Sequence, residues 1–84
     1  MNFIFYGCYL LKTLNLSSFY TNNVNNMSCM FCNCSSLQSL DISSFNFNKV
    51  IGMNGMFHEC NLLRKDNIKI NNKDDKILNA IEYL

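Results

Sequence analysis

The chain has 84 residues, which is enough for one small domain or a part of a larger protein, and its hydrophobic core must be modest. Hydrophobic residues make up 49% of the sequence, which argues against disorder along the whole chain. The formal net charge of +1 gives no reason to expect nucleic acid as a partner, and no segment is long and apolar enough to predict a membrane span.

A 26-residue repeat runs through the chain. Residues 5–30 and 31–56 align without a gap and are identical at eleven of 26 positions. Such a period predicts structural units that stack on each other and share one core. Three positions keep the same residue in three successive units: Phe5, Phe31 and Phe57; Cys8, Cys34 and Cys60; Leu11, Leu37 and Leu63.

Each unit contains two apolar patterns. The sequence Leu-x-x-Leu-x-Ile that ends at Ile42 alternates inside and outside, and it predicts a short strand at about 39–43. The apolar positions of Val24–Cys34, and of the equivalent Val50–Cys60, are spaced so that one face of a helix is apolar, and they predict a helix in each unit. Phe45 lies between strand and helix and is predicted to be a core residue.

The repeat loses its register after Leu63. Ile68 and Ile70 still alternate with polar residues, which predicts a last strand near 67–70. Residues 76–84 carry apolar side chains at helical spacing and predict an amphipathic helix that starts near Asp74 or Asn72. Ten of the thirteen charged residues lie in 59–84, and we interpret this charged end as a cap that covers the last coil.

The predicted fold class is α/β, a short leucine-rich-repeat-like solenoid with one short strand and one helix per 26-residue coil and a C-terminal helical cap. Because Met1 aligns with Met27 inside a unit, we expect either an atypical first coil or a longer array upstream. The predicted organisation is a repeat region over 1–63 (a partial unit 1–4, coils 5–30 and 31–56, and the start of a third coil 57–63), followed by a degenerate last coil and helical cap over 64–84.

The segment Met-Phe-x-x-Cys-Ser-Ser-Leu-x-Ser-Leu-Asp-Ile-Ser-Ser-Phe-Asn, residues 30–46, resembles the BspA-like leucine-rich-repeat surface proteins. The resemblance covers residues 1–63 and includes both the residue types and the period. It implies a solenoid that acts in adhesion or in binding other proteins, at the cell surface or after secretion. It brings no catalytic residues with it. Cys29 and Cys32 are additions to the family pattern.

The cysteines allow two interpretations. Cys8, Cys34 and Cys60 share one repeat position, which favours a ladder of small buried side chains over a redox or metal role. Cys32 and His58 are also 26 residues apart, so a Cys-x-Cys and a His-x-Cys could supply four ligands to zinc. We do not favour this zinc site or a Cys/His nucleophile, and we predict no metal, no cofactor and no enzyme activity.

The outward positions of the predicted strands are the best candidates for a partner surface. They are small and polar, so they suit either weak binding of a protein or glycan, reinforced by repetition, or a merely solvated face. They are Thr13, Asn15 and Ser17 in the first coil and Ser39, Asp41 and Ser43 in the second.

The sequence thus favours a non-enzymatic repeat module for protein–protein or adhesive binding within a surface or secreted repeat protein. The alternatives are an intracellular, cytoplasmic interaction module, a truncated remnant of a larger repeat gene and, at low weight, a small zinc or thiol protein. The expected partner is a protein or glycan, with stacking on further repeats also possible.

Overall fold

Three short parallel strands, each lying beside the next, organise the fold. The computed structural model describes residues 4–70, 75–82 and 84. Strands β1 (Thr13–Asn15), β2 (Ser39–Asp41) and β3 (Ile68–Lys69) form one sheet in the order β1-β2-β3. The strands predicted near 39–43 and 67–70 are therefore confirmed, although each is shorter than the predicted range.

The register of the sheet follows the repeat. Thr13 pairs with Ser39 and Leu14 with Leu40, so neighbours across β1 and β2 are repeat-equivalent residues. Leu40 pairs with Ile68, a separation of 28 residues (68 − 40) instead of 26. The two extra residues fall where the short 3-10 turn Lys65–Asn67 leads into β3. The insertion returns an apolar residue to the inward position, which the charged Asp66 would otherwise occupy.

The helices predicted over Val24–Cys34 and Val50–Cys60 are not formed, and this part of the prediction is wrong. The chain turns repeatedly there without completing an α-helix. Cys29 has a φ of 55° and Asn33 a φ of 62°, and both values lie in the left-handed region. Since every residue of an α-helix needs a negative φ, a left-handed residue at every fourth position interrupts the helix each time one turn has formed.

The backbone amides of this turn segment are used in two alternating ways. Met27 and Phe31 donate to the next unit, to the carbonyls of Gly52 (2.7 Å) and Met56 (2.9 Å), and Cys29 and Asn33 do likewise. The amides of Met30, Cys32 and Cys34 instead close turns onto the carbonyls three residues earlier. The units are consequently joined by a second line of hydrogen bonds, far from the strands.

A stack of phenylalanine rings marks the centre of the core. The rings of Phe5 and Phe31 lie 5.6 Å apart and those of Phe31 and Phe57 lie 5.5 Å apart, with interplanar angles of 3° and 6°. Phe31 is fully buried, and the predicted core residue Phe45 is 2% exposed. Equivalent residues of the units thus merge into one continuous core, as stacked repeats require.

The C-terminal helix α1 (Asp75–Ile81) lies within the predicted range 76–84 apart from its first residue. It buries Ile77 and Ile81 in the common core, while Leu78 remains 38% exposed. Lys76 donates from Nζ to the carbonyl of Phe47 (3.0 Å), which ties the helix to the second unit. The predicted helix caps Asp74 and Asn72 lie outside the described residues. Among the described helices, none is both long and apolar enough to cross a membrane.

Candidate partner-binding face

The six residues proposed as a partner surface are brought together in rows by the sheet register. Thr13 lies beside Ser39, and Asn15 lies beside Asp41. Thr13, Asn15, Ser17 and Ser39 are exposed, and Asp41 and Ser43 are half-buried. The structure therefore places them on one small polar face at the strands and just beyond their C-terminal ends.

Two residues of this face, Asn15 and Asp41, also bend the backbone at the ends of their strands. The side-chain oxygen of Asn15 accepts from the backbone N–H of Ser17 at 2.9 Å. In the next unit Asp41 does the same with the N–H of Ser43 at 3.0 Å and also accepts from the Ser43 hydroxyl at 2.6 Å. These bonds are Asx turns, in which a side chain replaces a backbone acceptor and bends the chain out of the strand.

The carboxylate of Asp41 is stabilised in its charged form. Hydrogen bonds from the hydroxyl and the backbone N–H of Ser43 lower the pKa of this carboxyl, and the charge of Lys69 lowers it further. Because the half-buried carboxylate remains in contact with solvent, the effect fixes its charge and orientation more than it stabilises the fold. Asp41 thus presents a permanent negative charge on the face at neutral pH.

Lys69 is a member of the face that the sequence pattern did not predict. It pairs with Asp41 in the sheet register and is exposed. With Ser17, Ser43 and Ile68 it lines a shallow depression at the strand ends. The exact 26-residue period places Ser43 opposite Lys69, one unit on, but the two-residue insertion moves the pairing to Asp41. The alternation of Ile68 and Ile70 directs Lys69 outward, but its pairing with Asp41 could be predicted only by identifying that insertion.

The repeat-equivalent cysteines occupy equivalent packing positions. Cys34 donates from Sγ to the carbonyl of Phe5 (3.1 Å), and Cys60 donates to the carbonyl of Phe31 (3.0 Å). Burial raises the pKa of the Cys34 thiol, and it raises the pKa of Cys60 to about 11. Both thiols are therefore protonated at neutral pH, act as donors between units and are poor nucleophiles.

Cys32 and His58 do not point into a common site. The Cys32 thiol is buried and donates to the carbonyl of Gly55 at 2.7 Å, while the side chain of His58 is 67% exposed. The Nε2 atom of His58 lies 3.6 Å from a carboxylate oxygen of Glu59. Within residues 4–70, 75–82 and 84, no three His, Cys, Asp or Glu side chains converge in a way that could hold a metal ion.

Comparison with known proteins identifies a family. The family model described as "Mycoplasma protein of unknown function, DUF285" matches residues 1–81. No curated protein and no solved structure matches the chain. The match extends beyond the repeat region defined from the sequence and includes β3 and the whole of α1.

Proposed function

This chain belongs to the DUF285 family, and from that premise we propose that it is a non-enzymatic binding module, one segment of an adhesive surface or secreted repeat protein. The observation that carries the proposal is the row of small polar residues whose neighbours across the sheet are repeat-equivalent. A surface that repeats with each coil can engage a repetitive ligand through many weak contacts.

The architecture that we propose is a leucine-rich-repeat-like solenoid. Two observations support it, the 26-residue register between β1 and β2 and the second line of hydrogen bonds between turn segments. In such an array each coil contacts only its neighbours, so an added coil extends the polar face without altering the rest. The resemblance of residues 30–46 to the BspA-like proteins supports the same architecture.

The chemistry of the face favours a polar ligand. Thr13 and Ser39 offer hydroxyl groups, and Asp41 and Lys69 offer one charge of each sign. Hydroxyl and paired charged groups suit the hydrogen bonds of a glycan or of a polar protein segment. The face lacks an exposed aromatic or apolar anchor among the residues named here, so a single coil binds weakly and an array binds through avidity.

Binding can be tested on immobilised extracellular-matrix proteins and on a glycan array. The test variant is Thr13→Arg/Ser39→Arg, which places two long cations on adjacent exposed positions of the face. The matched control is Asn22→Arg/Asn48→Arg, which makes the same charge change at an exposed, repeat-equivalent pair away from the strands. We expect wild type and control to bind the same ligand and the test variant to lose at least tenfold in affinity.

Two results would contradict the proposal. Wild-type protein, presented as a multivalent display, could bind no component of either panel. Alternatively, both arginine variants could lose binding equally, which would show that net charge and not this face determines attachment. The surface location is tested separately, by labelling intact cells of the source organism with a membrane-impermeant amine reagent, and an unlabelled protein would favour the intracellular alternative.

A further inference from the structure

The pair Cys29 and Cys32 differs from the other cysteines. The equivalent positions of the next unit hold Gly55 and His58, so the stacking of coils does not require sulfur at either place. By contrast, Cys8, Cys34 and Cys60 recur in every unit. The pair therefore has no explanation in the packing pattern of the repeat.

The backbone brings the two residues to a distance that a disulfide can span. The N–H of Cys32 donates to the carbonyl of Cys29 at 3.3 Å and closes a four-residue turn. The Cα atoms at the ends of such a turn are less than about 7 Å apart, which is also the upper limit for a disulfide. The separation of the two ends of the turn is therefore compatible with a disulfide.

The two thiols also converge in space. A Cβ atom placed on Gly55 would lie 3.5 Å from Sγ of Cys29 and 3.7 Å from Sγ of Cys32. The absence of a side chain on Gly55 thus leaves one small space into which both sulfur atoms point. Burial, and after it the neighbouring Cys29 thiol, raise the pKa of the Cys32 thiol.

Oxidation of the pair would leave the contact between units intact. The two thiols donate to the carbonyls of Asn54 (3.7 Å) and Gly55 (2.7 Å), and a disulfide removes both donors. Each carbonyl keeps a backbone partner, since Cys29 N–H donates to Asn54 (3.0 Å) and His58 N–H donates to Gly55 (3.0 Å). Neither of these two carbonyls is left without a hydrogen bond.

We propose that Cys29 and Cys32 form a thiol–disulfide exchange site, which an external disulfide such as oxidised glutathione converts to an intrachain disulfide. The half-buried Cys29 reacts first, and its thiolate attacks one glutathione sulfur and releases one glutathione thiolate. The buried Cys32 then attacks Sγ of Cys29 and releases the second glutathione. The two protein thiols lose two electrons and two protons in total, and one disulfide becomes two thiols.

The burial of Cys32 is the reason for assigning the first step to Cys29 and the second to Cys32. Burial, the first cause, and the neighbouring Cys29 raise the pKa of Cys32 to about 12. A thiol in that state reacts slowly with reagents from solution but is held beside the mixed disulfide that forms on Cys29. The site is independent of the proposed adhesive function, because it lies on the turn segments and not on the strands.

The test exposes the purified 84-residue chain to oxidised glutathione, quenches with acid, alkylates the unfolded chain and maps the free thiols by mass spectrometry. We expect wild type to lose two of its five alkylable thiols, at Cys29 and Cys32, while Cys8, Cys34 and Cys60 stay labelled. Reduced glutathione should restore all five. Retention of all five thiols at excess oxidised glutathione, or a disulfide that includes one of the other three cysteines, would overturn the proposal.

Single variants test the order of events. Cys32→Ser should trap one glutathione on Cys29, because the second thiol is missing, and serine can still donate to the carbonyl of Gly55. Cys29→Ser should accumulate glutathionylated Cys32 at least tenfold more slowly. Equal rates in the two variants would refute the assigned order. Melting curves establish that each variant is folded, and the wild-type thiol map decides the proposal if either is not.

Discussion

Phe31 is the residue whose replacement tests the stacked core most directly. It is fully buried, and it is the only described phenylalanine with another ring stacked on each of its two faces, at 5.6 Å and 5.5 Å. Phe5 is stacked against another ring, that of Phe31, on one face only, and it lies half-buried at one end of the stack. The same substitution at these two positions thus removes two ring contacts in one case and one in the other.

The magnitude follows from the number of ring contacts. Truncation of a buried phenylalanine to alanine costs about 3–5 kcal/mol, which is a large part of the roughly 4–13 kcal/mol expected for 84 residues, so Phe31→Ala is expected to unfold much of the population. Leucine keeps most of the apolar volume. Since each aromatic pair contributes about 0.5–1.5 kcal/mol beyond its buried area, Phe31→Leu should cost about 1–3 kcal/mol and Phe5→Leu about half as much.

Urea unfolding followed by far-UV circular dichroism is the suitable assay, because the sequence has no tryptophan. The slope of the unfolding free energy with urea should stay constant, so that a shift in midpoint reports stability alone. Phe57→Leu, which also removes one stacked ring, should resemble Phe5→Leu more than Phe31→Leu. A loss at Phe31 equal to or smaller than the loss at Phe5 would refute a continuous stack through the units.

Three further predictions concern the strand ends, the turns and the stacking of coils. The hydrogen bonds from Ser43 lower the pKa of the Asp41 carboxyl in the folded state. The stability that the carboxylate provides is therefore fully present above the unfolded-state pKa, and it is lost as the pH falls through the lowered folded-state pKa. Asp41→Asn keeps the acceptor, so the urea midpoints of wild type and variant should converge on acidification; a constant difference would contradict this role. Glu59 has a φ of 63°, whereas the equivalent position of the first unit is Gly7, so Glu59→Gly should stabilise by about 0.5–1 kcal/mol. Glu59→Ala removes the same carboxylate without relieving the backbone, and an equal gain in both would exclude backbone strain as the cause. Tandem duplication of residues 31–56 should raise the melting temperature and the urea slope together, because each coil adds an interface; an unchanged or lower melting temperature would contradict a stacked array.

The strands and their register were predictable because the repeat itself encodes them. Leu14 and Leu40 hold the same position of the period, and the structure pairs them directly. Ile68 was predictable from its alternation with polar neighbours even though the period had broken. Apolar alternation is a local signal that survives an insertion, whereas a fixed offset does not, and this difference explains why Lys69 was missed.

The helices were predicted wrongly because apolar spacing does not report the sign of φ. Steps of three and four residues place side chains on one face of a helix, and tandem turns that each span three to four residues do the same. The residues at the left-handed positions are the signal that distinguishes tandem turns from a helix. The left-handed residues Gly7, Asn33 and Glu59 are repeat-equivalent, and so are Cys29 and Gly55. Glycine and asparagine at those positions are the residues that tolerate a left-handed backbone best.

The abundance of asparagine has a related explanation in the turns. Fifteen of the 84 residues are asparagine, and several of them bend the chain with their own side chains. Asn26 accepts from the N–H of Ser28 at 2.9 Å and Asn46 from the N–H of Asn48 at 2.8 Å, as Asn15 does at the end of β1. A chain with so little regular secondary structure needs these side-chain acceptors, because its backbone groups lack the partners that a helix would provide.

The hydrogen bonds between units show that neighbouring units depend on each other. Of the amides between Met27 and Asn33, every second one is satisfied only by the following unit. The buried Thr21 likewise exchanges hydrogen bonds with the backbone of Asn46, at 3.1 Å and 2.9 Å. Removing a neighbouring coil would therefore expose apolar area and also leave buried donors without acceptors. Both costs act at the interface between units, so we expect substitutions at this interface to lower the stability of the chain strongly.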